Sequence, residues 1–187
     1  MTRCVENGTQ WDGLRHASQS VPAKGDEPPP ERIFYGGTTA AEIQDRHSDR
    51  IGIQHWAQAG IAGRGVLIDY VSYAEKKGVK YTGLEAHPVK LSEIREIAHD
   101  CNIEFRKGDI LLVRSGMTKA WDSLSMADKA AYGAAGKPSH AGLEATEDTL
   151  RFLWDSGFAA VASDTFAFEV SILRSGWRYG YALILLS

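Results

Sequence analysis

The sequence predicts a mixed α/β domain in which a mostly buried sheet is flanked by helices. Three short apolar runs, at residues 66–68, 110–113 and 158–162, have the length and composition of buried strands. Between the first two runs, residues 91–98 place apolar side chains at helical spacing. Strand and helix patterns therefore alternate along the chain, which is typical of this fold class.

Composition and charge limit the classes of function that this chain could have. The 187 residues are 43% hydrophobic and 24% charged, as expected for one soluble globular domain. The formal charge is -3 and there is no basic run, so we expect no nucleic-acid partner. Cys4 and Cys101 are too few for a disulfide framework, which favours reduced thiols. No apolar leader is visible and the longest apolar run, residues 181–186, is too short to cross a bilayer, so we expect a cytoplasmic protein without membrane contact.

Residues 17–38 are predicted to be a long surface loop. Seven of these positions are Pro or Gly residues that argue against regular elements, and charged residues keep the segment solvated. Loops of this length in compact domains are usually functional or disordered. Phe34 and Tyr35 could dock the loop as a lid over a site, and a plain surface loop is the alternative.

Two helices are predicted next. Residues 38–42 have the composition of a capped helix start. Residues 51–59 should be helical, with Ile53 and Trp56 on the apolar side.

The first strand, residues 66–68, is delivered by a glycine-rich approach. Asp69 follows it, and could orient a ligand or cap the next helix. That helix is expected over residues 73–77 and should end at Gly78.

The sequence of residues 91–113 predicts a helix, a turn and a second strand. The helix at residues 91–98 is followed by a turn at 107–109 and by the strand at 110–113. Arg114, at the end of this strand, could bind a substrate carboxylate or form a structural salt bridge.

Residues 138–143 are predicted to introduce a helix that runs to about residue 156. Its apolar face would comprise Leu143, Leu150, Leu153 and Trp154. His140 is either a site residue or a cap of this helix. The third strand then ends in the polar residues 163–165, and Glu169 beyond it is either a supporting acid of a site or an exposed residue.

The richest stretch for chemistry is residues 6–16. It brings together Glu6, Gln10, Asp12 and His16 within eleven residues. Carboxylate, amide and imidazole groups are all suitable ligands for a divalent cation. The alternative, from spacing alone, is a polar strand and turn with an ordinary histidine.

This stretch resembles the signature His-x-Gly-Thr-His-x-Asp-x-Pro-x-His of the cyclase family, which includes bacterial-type kynurenine formamidases and isatin hydrolases. The matching residues are Gly8, Thr9, Asp12 and His16. Glu6 and Gln10 stand where the family has two metal-binding histidines, and Leu14 replaces the proline. The form Gly-Thr-Gln-Trp-Asp resembles a subgroup of largely uncharacterised members.

The resemblance extends over residues 6–169 and includes the Gly-Asp-x-Leu-Leu-x-Arg segment around the second strand. It implies a swivelling β/β/α-type domain that is incomplete at both ends. We therefore expect a partial cyclase-like domain at residues 1–169 and a divergent C-terminal tail at 170–187, which lacks the histidine and glutamate that complete the family's second metal site.

The resemblance also implies an activity. It is metal-dependent hydrolysis of a carbon–nitrogen amide bond, in an N-formyl aryl amine or a cyclic amide. Asp12, Gln10 and Glu6 would bind Mn or Zn, with the oxygen ligands shifting the preference from Zn toward Mn or Mg, and His16 would be the catalytic proton carrier. The missing second-site ligands predict an impaired or inactive chain.

Further residues are implied around that site. Trp11, Phe34, Tyr35 and His140 would bind the small-molecule substrate, and Glu169 would support the ligands from behind. A non-catalytic binding or scaffold protein and a metal-dependent cyclase or lyase are the alternatives. Assembly into a homo-oligomer is a further expectation.

Overall fold

The computed structural model describes residues 11–20, 32–135 and 139–170. The chain divides into two compact units, residues 1–61 and residues 62–187, called unit one and unit two below. The predictions for Cys4, Glu6, Gln10 and the tail from residue 171 onward lie outside the described residues.

Unit one contains a short antiparallel strand pair. β1 (Gln19–Ser20) pairs with β2 (Arg32–Ile33), and a single 3-10 turn follows at Tyr35–Gly37. The expectation that residues 17–38 hold no regular element is therefore wrong at both ends of the segment. Strands of two residues are shorter than any alternation that a sequence pattern can reveal, and here the Arg32 Nε also donates to the Ser18 hydroxyl at 2.6 Å.

The capped helix start is confirmed. In α1 (Ala40–Gln44), the Glu42 backbone N–H donates to the Thr39 hydroxyl at 3.2 Å, and Thr39 N–H donates to the Glu42 carboxylate at 2.8 Å. The second helix, α2 (Gln54–Ala59), is shorter than predicted. It cannot include Ile51, whose φ of 51° is left-handed.

Unit two alternates strands and helices. In chain order the elements are β3 (Gly65–Asp69), α3 (Tyr70–Lys77), β4 (Pro88–Val89), α4 (Leu91–Asp100), β5 (Ile110–Arg114), α5 (Met117–Ser123), α6 (Met126–Ala134), β6 (Gly142–Leu143), α7 (Glu147–Asp155) and β7 (Ala160–Ser163). The three predicted strands and the predicted α4 are confirmed, as is the end of α3 at Gly78, which has a left-handed φ of 72°.

The sheets of unit two are parallel. One has the strand order β3-β5-β7, and the other pairs β4 with β6. A single mixed sheet was expected, but in the described residues the only antiparallel strand pair is β1 with β2, in unit one.

The core of unit two lies between the β3-β5-β7 sheet and its helices. Its largest fully buried apolar side chains are Tyr70, Ile68, Ile94, Leu111, Leu143 and Val89. All four residues expected on the inner face of α4 are buried, which confirms the helical periodicity: Leu91, Ile94, Ile97 and Ala98.

The strands of this sheet are buried on one face only, whereas the continuous apolar runs predicted burial on both. Leu67 remains 52% exposed and Leu112 37% exposed. The two residues are paired in register, and successive strand residues point to opposite faces, so both lie on the same outer face. Apolar composition alone could not distinguish this face from the core.

The helix expected from residue 143 begins later. Leu143 lies in β6, where its N–H donates to the Phe168 carbonyl at 2.9 Å. The helix α7 starts after Thr146, whose hydroxyl accepts from Thr149 N–H at 3.2 Å. Trp154, assigned to the apolar face, is 54% exposed.

Across the residues that the structure describes, every helix is too short or too polar to serve as a membrane span.

Candidate functional site

In unit one, a turn at residues 12–16, called the motif turn, brings Asp12 and His16 together. The His16 backbone N–H donates to the Gly13 carbonyl at 2.9 Å, which closes the turn. The His16 Nδ1 then lies 3.3 Å from the Asp12 Oδ1, and the two side chains are 47% and 35% exposed. Both groups are therefore paired and still accessible from solvent.

Aromatic side chains of unit one are also accessible. Trp11 is 44% exposed and meets the Trp56 ring edge-on, with 6.4 Å between ring centroids. Tyr35 is 40% exposed, and Phe34 is half-buried. Their assignment to substrate binding remains a prediction.

Two arginines organise the surroundings of the motif turn. The Arg15 guanidinium donates from Nε and Nη2 to the Arg50 carbonyl at 3.0 and 2.8 Å, and from Nη2 to the Ser48 carbonyl at 2.9 Å. Arg50 in turn donates to the Gly36 carbonyl at 2.8 Å and to the Glu42 carboxylate at 2.9 Å. Hydrogen bonds from Thr39 and the charge of Arg50 hold the pKa of Glu42 below its usual value.

Whether residues 6–16 can bind a divalent cation depends on which metal-ligating side chains they supply. Within the described ranges, no three His, Cys, Asp or Glu side chains converge on one point. The described part of the motif supplies one carboxylate, Asp12, beside one imidazole, His16. With the oxygen donors Glu6 and Gln10, this set has the chemistry that Mn²⁺ and similar cations accept.

In unit two, polar side chains gather where the parallel strands end. The Arg114 Nη1 donates to both carboxylate oxygens of Asp69 at 3.0 Å, so Arg114 forms the structural salt bridge foreseen as one of its two roles. Asp69 also caps α3 by accepting from Ser72 N–H at 3.1 Å. Burial opposes ionisation of Asp69, but the bonds from Ser72 and Arg114 outweigh it and lower its pKa.

Asp164 joins the ends of β5 and β7. Its carboxylate accepts from Ser115 N–H at 2.6 Å, from the Ser115 hydroxyl at 2.9 Å, and from Gly116 N–H at 3.0 Å. The Thr118 hydroxyl donates to it as well, at 3.0 Å. A carboxylate engaged by four donors has a structural role in holding these strand ends together.

Sequence reasoning missed a cluster built around His87. The imidazole stacks on Tyr81 at 4.4 Å between centroids, and its Nε2 lies 2.8 Å from the Tyr70 hydroxyl. Burial lowers the pKa of His87, while the nearby carboxylates of Glu93 and Glu85 oppose that shift. Burial, reinforced by Glu93, raises the pKa of the Tyr70 hydroxyl. In the sequence, the His-Pro pair at residues 87–88 predicts an extended residue, and Tyr70 and Tyr73 at helical spacing predict one face of a helix. Neither pattern predicts that His87 and Tyr70 are in contact.

His140 is buried, at 6% exposure, and its Nε2 lies 3.0 Å from the Glu169 backbone carbonyl. Its predicted role as a cap is wrong, since α7 begins seven residues later, at Glu147. The Phe166 ring, 53% exposed, meets the imidazole edge-on. Glu169 is half-buried and bridges to Leu143 through its backbone. Substrate binding by His140 and a supporting role for Glu169 remain predictions.

A solved structure described as a novel cyclase has a similar fold, with a TM-score of 0.64 and 24% sequence identity. The match covers 86% of this chain and 47% of that one, so the chain spans about half the length of that relative. Comparison with curated proteins gave no match. The model of the family described as "Putative cyclase" matches residues 1–170. The chain therefore belongs to this cyclase family.

Proposed function

We propose that the protein is a metal-dependent hydrolase that cleaves the carbon–nitrogen bond of a small amide, such as an N-formyl aryl amine. The single observation that carries the proposal is the Asp12–His16 pair, a carboxylate 3.3 Å from an imidazole in a solvent-accessible turn. Membership of the cyclase family supports an enzyme in general terms.

Asp12 would hold the cation together with Gln10 and Glu6, and Mn²⁺ or Zn²⁺ is the proposed occupant. A bound divalent cation would polarise the amide carbonyl and make water a better nucleophile at neutral pH.

His16 would carry the proton. When Nδ1–H faces the Asp12 carboxylate, Nε2 is left with a lone pair that can accept a proton from water. The same nitrogen can then return that proton to the departing amine nitrogen, which must be protonated to leave. Asp12 would favour this tautomer and orient the ring, because its Oδ1 lies 3.3 Å from the His16 Nδ1.

The proposed substrate is an aromatic amide, because the exposed Trp11 and Tyr35 rings offer flat apolar surface in the same unit as the pair. Phe34, half-buried in the same unit, would add to this aromatic surface. We also propose, on family resemblance alone, that the protein forms a homo-oligomer.

A second candidate is a binding protein that keeps the fold without catalysis. The presence of Glu6 and Gln10 at the two positions where the family has metal-binding histidines favours it. Such a protein would bind no divalent cation tightly.

The first test measures metal content. We expect the purified chain to bind about one equivalent of Mn²⁺ or Zn²⁺ by elemental analysis, and Asp12→Ala to lose it. Asp100→Ala is a matched control, because Asp100 lies 3.5 Å from the imidazole of His99 in an exposed pair outside the motif. Metal loss in both variants, or none in a folded wild type, would reject the proposed site.

The second test measures turnover of N-formylaniline with added Mn²⁺. His16→Ala should retain the metal and lower kcat by about 100-fold to 10,000-fold, the range for a lost proton carrier. His99→Ala should behave as wild type. Bound metal with no turnover of formyl amides by wild type would favour a cyclase or lyase of the same fold.

A further inference from the structure

We infer that Arg15 and Arg50 are positioning residues, which fix the motif turn and the aromatic Tyr35 loop on one shared stretch of backbone. This inference rests on the proposed function for its meaning in catalysis. Its structural part concerns unit one alone and can be tested without any metal.

Arg15 stands between Asp12 and His16 in the motif turn. Its guanidinium makes three hydrogen bonds, all to the backbone carbonyls of Ser48 and Arg50, at 2.8 to 3.0 Å. Because the acceptors are backbone atoms and not side chains, these hydrogen bonds fix the turn relative to the backbone of residues 48–50. A lysine could not reproduce them, because it lacks the planar fork of donors.

Two packing contacts join the turn to the same stretch. Trp11 meets Trp56 edge-on, and a Cβ added to Gly13 would lie 3.4 Å from the Ile53 Cβ. Residues 48–56 thus form a platform beneath the turn. No proline stiffens the turn at Leu14, so its geometry depends on these contacts from outside.

Arg50 extends the connection. Its backbone carbonyl accepts from Arg15, while its guanidinium donates to the Gly36 carbonyl at 2.8 Å and to Glu42 at 2.9 Å. Gly36 is in the 3-10 turn that begins at Tyr35, and Glu42 is in α1. One residue therefore holds the aromatic loop and the motif turn to the same backbone.

The two arginines are expected to affect different steps, because their guanidinium groups bind different segments of unit one. Arg15 acts on the orientation of Asp12 and His16, so its loss should weaken metal binding. Removal of groups that orient metal ligands from behind typically costs about 10-fold to 100-fold in affinity. Arg50 also holds the loop that carries Tyr35, so its loss should act on substrate binding.

The experiment compares the full chain with Arg15→Gln, Arg15→Lys and Arg50→Gln. Arg32→Gln is the control, since Arg32 is an exposed arginine of unit one whose side chain binds only Ser18 among the described residues. Calorimetric titration with Mn²⁺ should show about 10-fold to 100-fold weaker binding for both Arg15 variants. With N-formylaniline, Arg50→Gln should raise KM more than it lowers kcat. Arg32→Gln should leave Mn²⁺ affinity and KM unchanged.

Hydrogen exchange separates this inference from the proposed function. In metal-free protein, peptides covering residues 12–16 should exchange faster in both Arg15 variants, and residues 34–38 faster in Arg50→Gln. If wild type binds no Mn²⁺ and turns over no amide, the proposed function fails while faster exchange still supports the positioning role. Unchanged exchange in the Arg15 variants would overturn the inference whatever the metal does. If Arg15→Gln does not fold, Arg15→Lys, which keeps the charge, decides the outcome.

Discussion

Gly83 lies so close to the backbone of α5 that an added Cβ atom would be 2.4 Å from the Gly116 carbonyl carbon and 2.4 Å from Met117 N. Gly142 is similar, with 2.6 Å to the Glu169 carbonyl carbon. At the residue scale, these contacts leave no room for a side chain, and backbone atoms cannot turn aside as a side chain can.

We predict that Gly83→Ala lowers the free energy of unfolding by about 1 to 3 kcal/mol, the usual cost of overpacking. Gly133→Ala is the matched control, because Gly133 is in helix α6 and an added Cβ would meet no atom within 4 Å. That change should raise stability by about 0.5 to 1 kcal/mol. Urea denaturation measures both, and equal effects of the two substitutions would contradict the crowding at Gly83.

At the scale of elements, adjacent residues of β3 have opposite environments. Ile68 is fully buried against the helices, whereas Leu67 is 52% exposed on the outer face. The chemical similarity of the two side chains explains why the sequence alone assigned both to a core. Register, which pairs Leu67 with Leu112, is a property of two strands separated by more than 40 residues, and no local pattern contains it.

We predict that Ile68→Ala lowers the free energy of unfolding by about 2 to 5 kcal/mol, because it leaves a cavity in the core. Leu67→Ala should cost about 1 kcal/mol or less, since its side chain is half in solvent. Urea denaturation at neutral pH compares them directly. A similar loss for both would mean that the outer face is covered in solution.

Local signals explain most of the correctly predicted elements. Thr39 and Glu42 formed the expected capping box, and Gly78 ended α3, because both depend on residues within one helical turn. The start of α7 was misplaced, since Thr146 and the residues near Pro138 offer competing start signals, and only the pairing of β6 with β4 decides between them. In the candidate site, the Asp12–His16 pair follows from spacing, but the carbonyls that hold Arg15 lie more than 30 residues away.

At the scale of the whole molecule, acid sensitivity follows from the half-buried His87. Burial favours its neutral form, so its pKa in the folded protein lies below the unfolded value of about 6.5. As the pH falls below the unfolded pKa, His87 therefore takes up a proton in the unfolded chain before it does so in the folded protein. The contribution of neutral His87 to stability is fully present above the unfolded pKa, and it is lost as the pH falls through the folded pKa.

We predict that the free energy of unfolding falls between pH 7 and pH 5, and that it falls less in His87→Phe, which keeps a ring against Tyr81 but cannot take up a proton. His99→Phe is the matched control, because it removes a histidine whose side chain is 90% exposed. Urea denaturation at both pH values gives the two differences. An identical pH dependence in wild type and His87→Phe would show that other groups determine it.

The order β3-β5-β7 in the sheet is also the order of these strands in the chain. During synthesis, β5 can pair with β3 as soon as residue 114 has left the ribosome, and β7 can then join the free edge of β5. Each addition is to an edge that already exists, so no strand has to insert between two others. The nascent chain can therefore build this sheet from one side in step with translation, and its exposed growing edge is the part that a chaperone would need to shield.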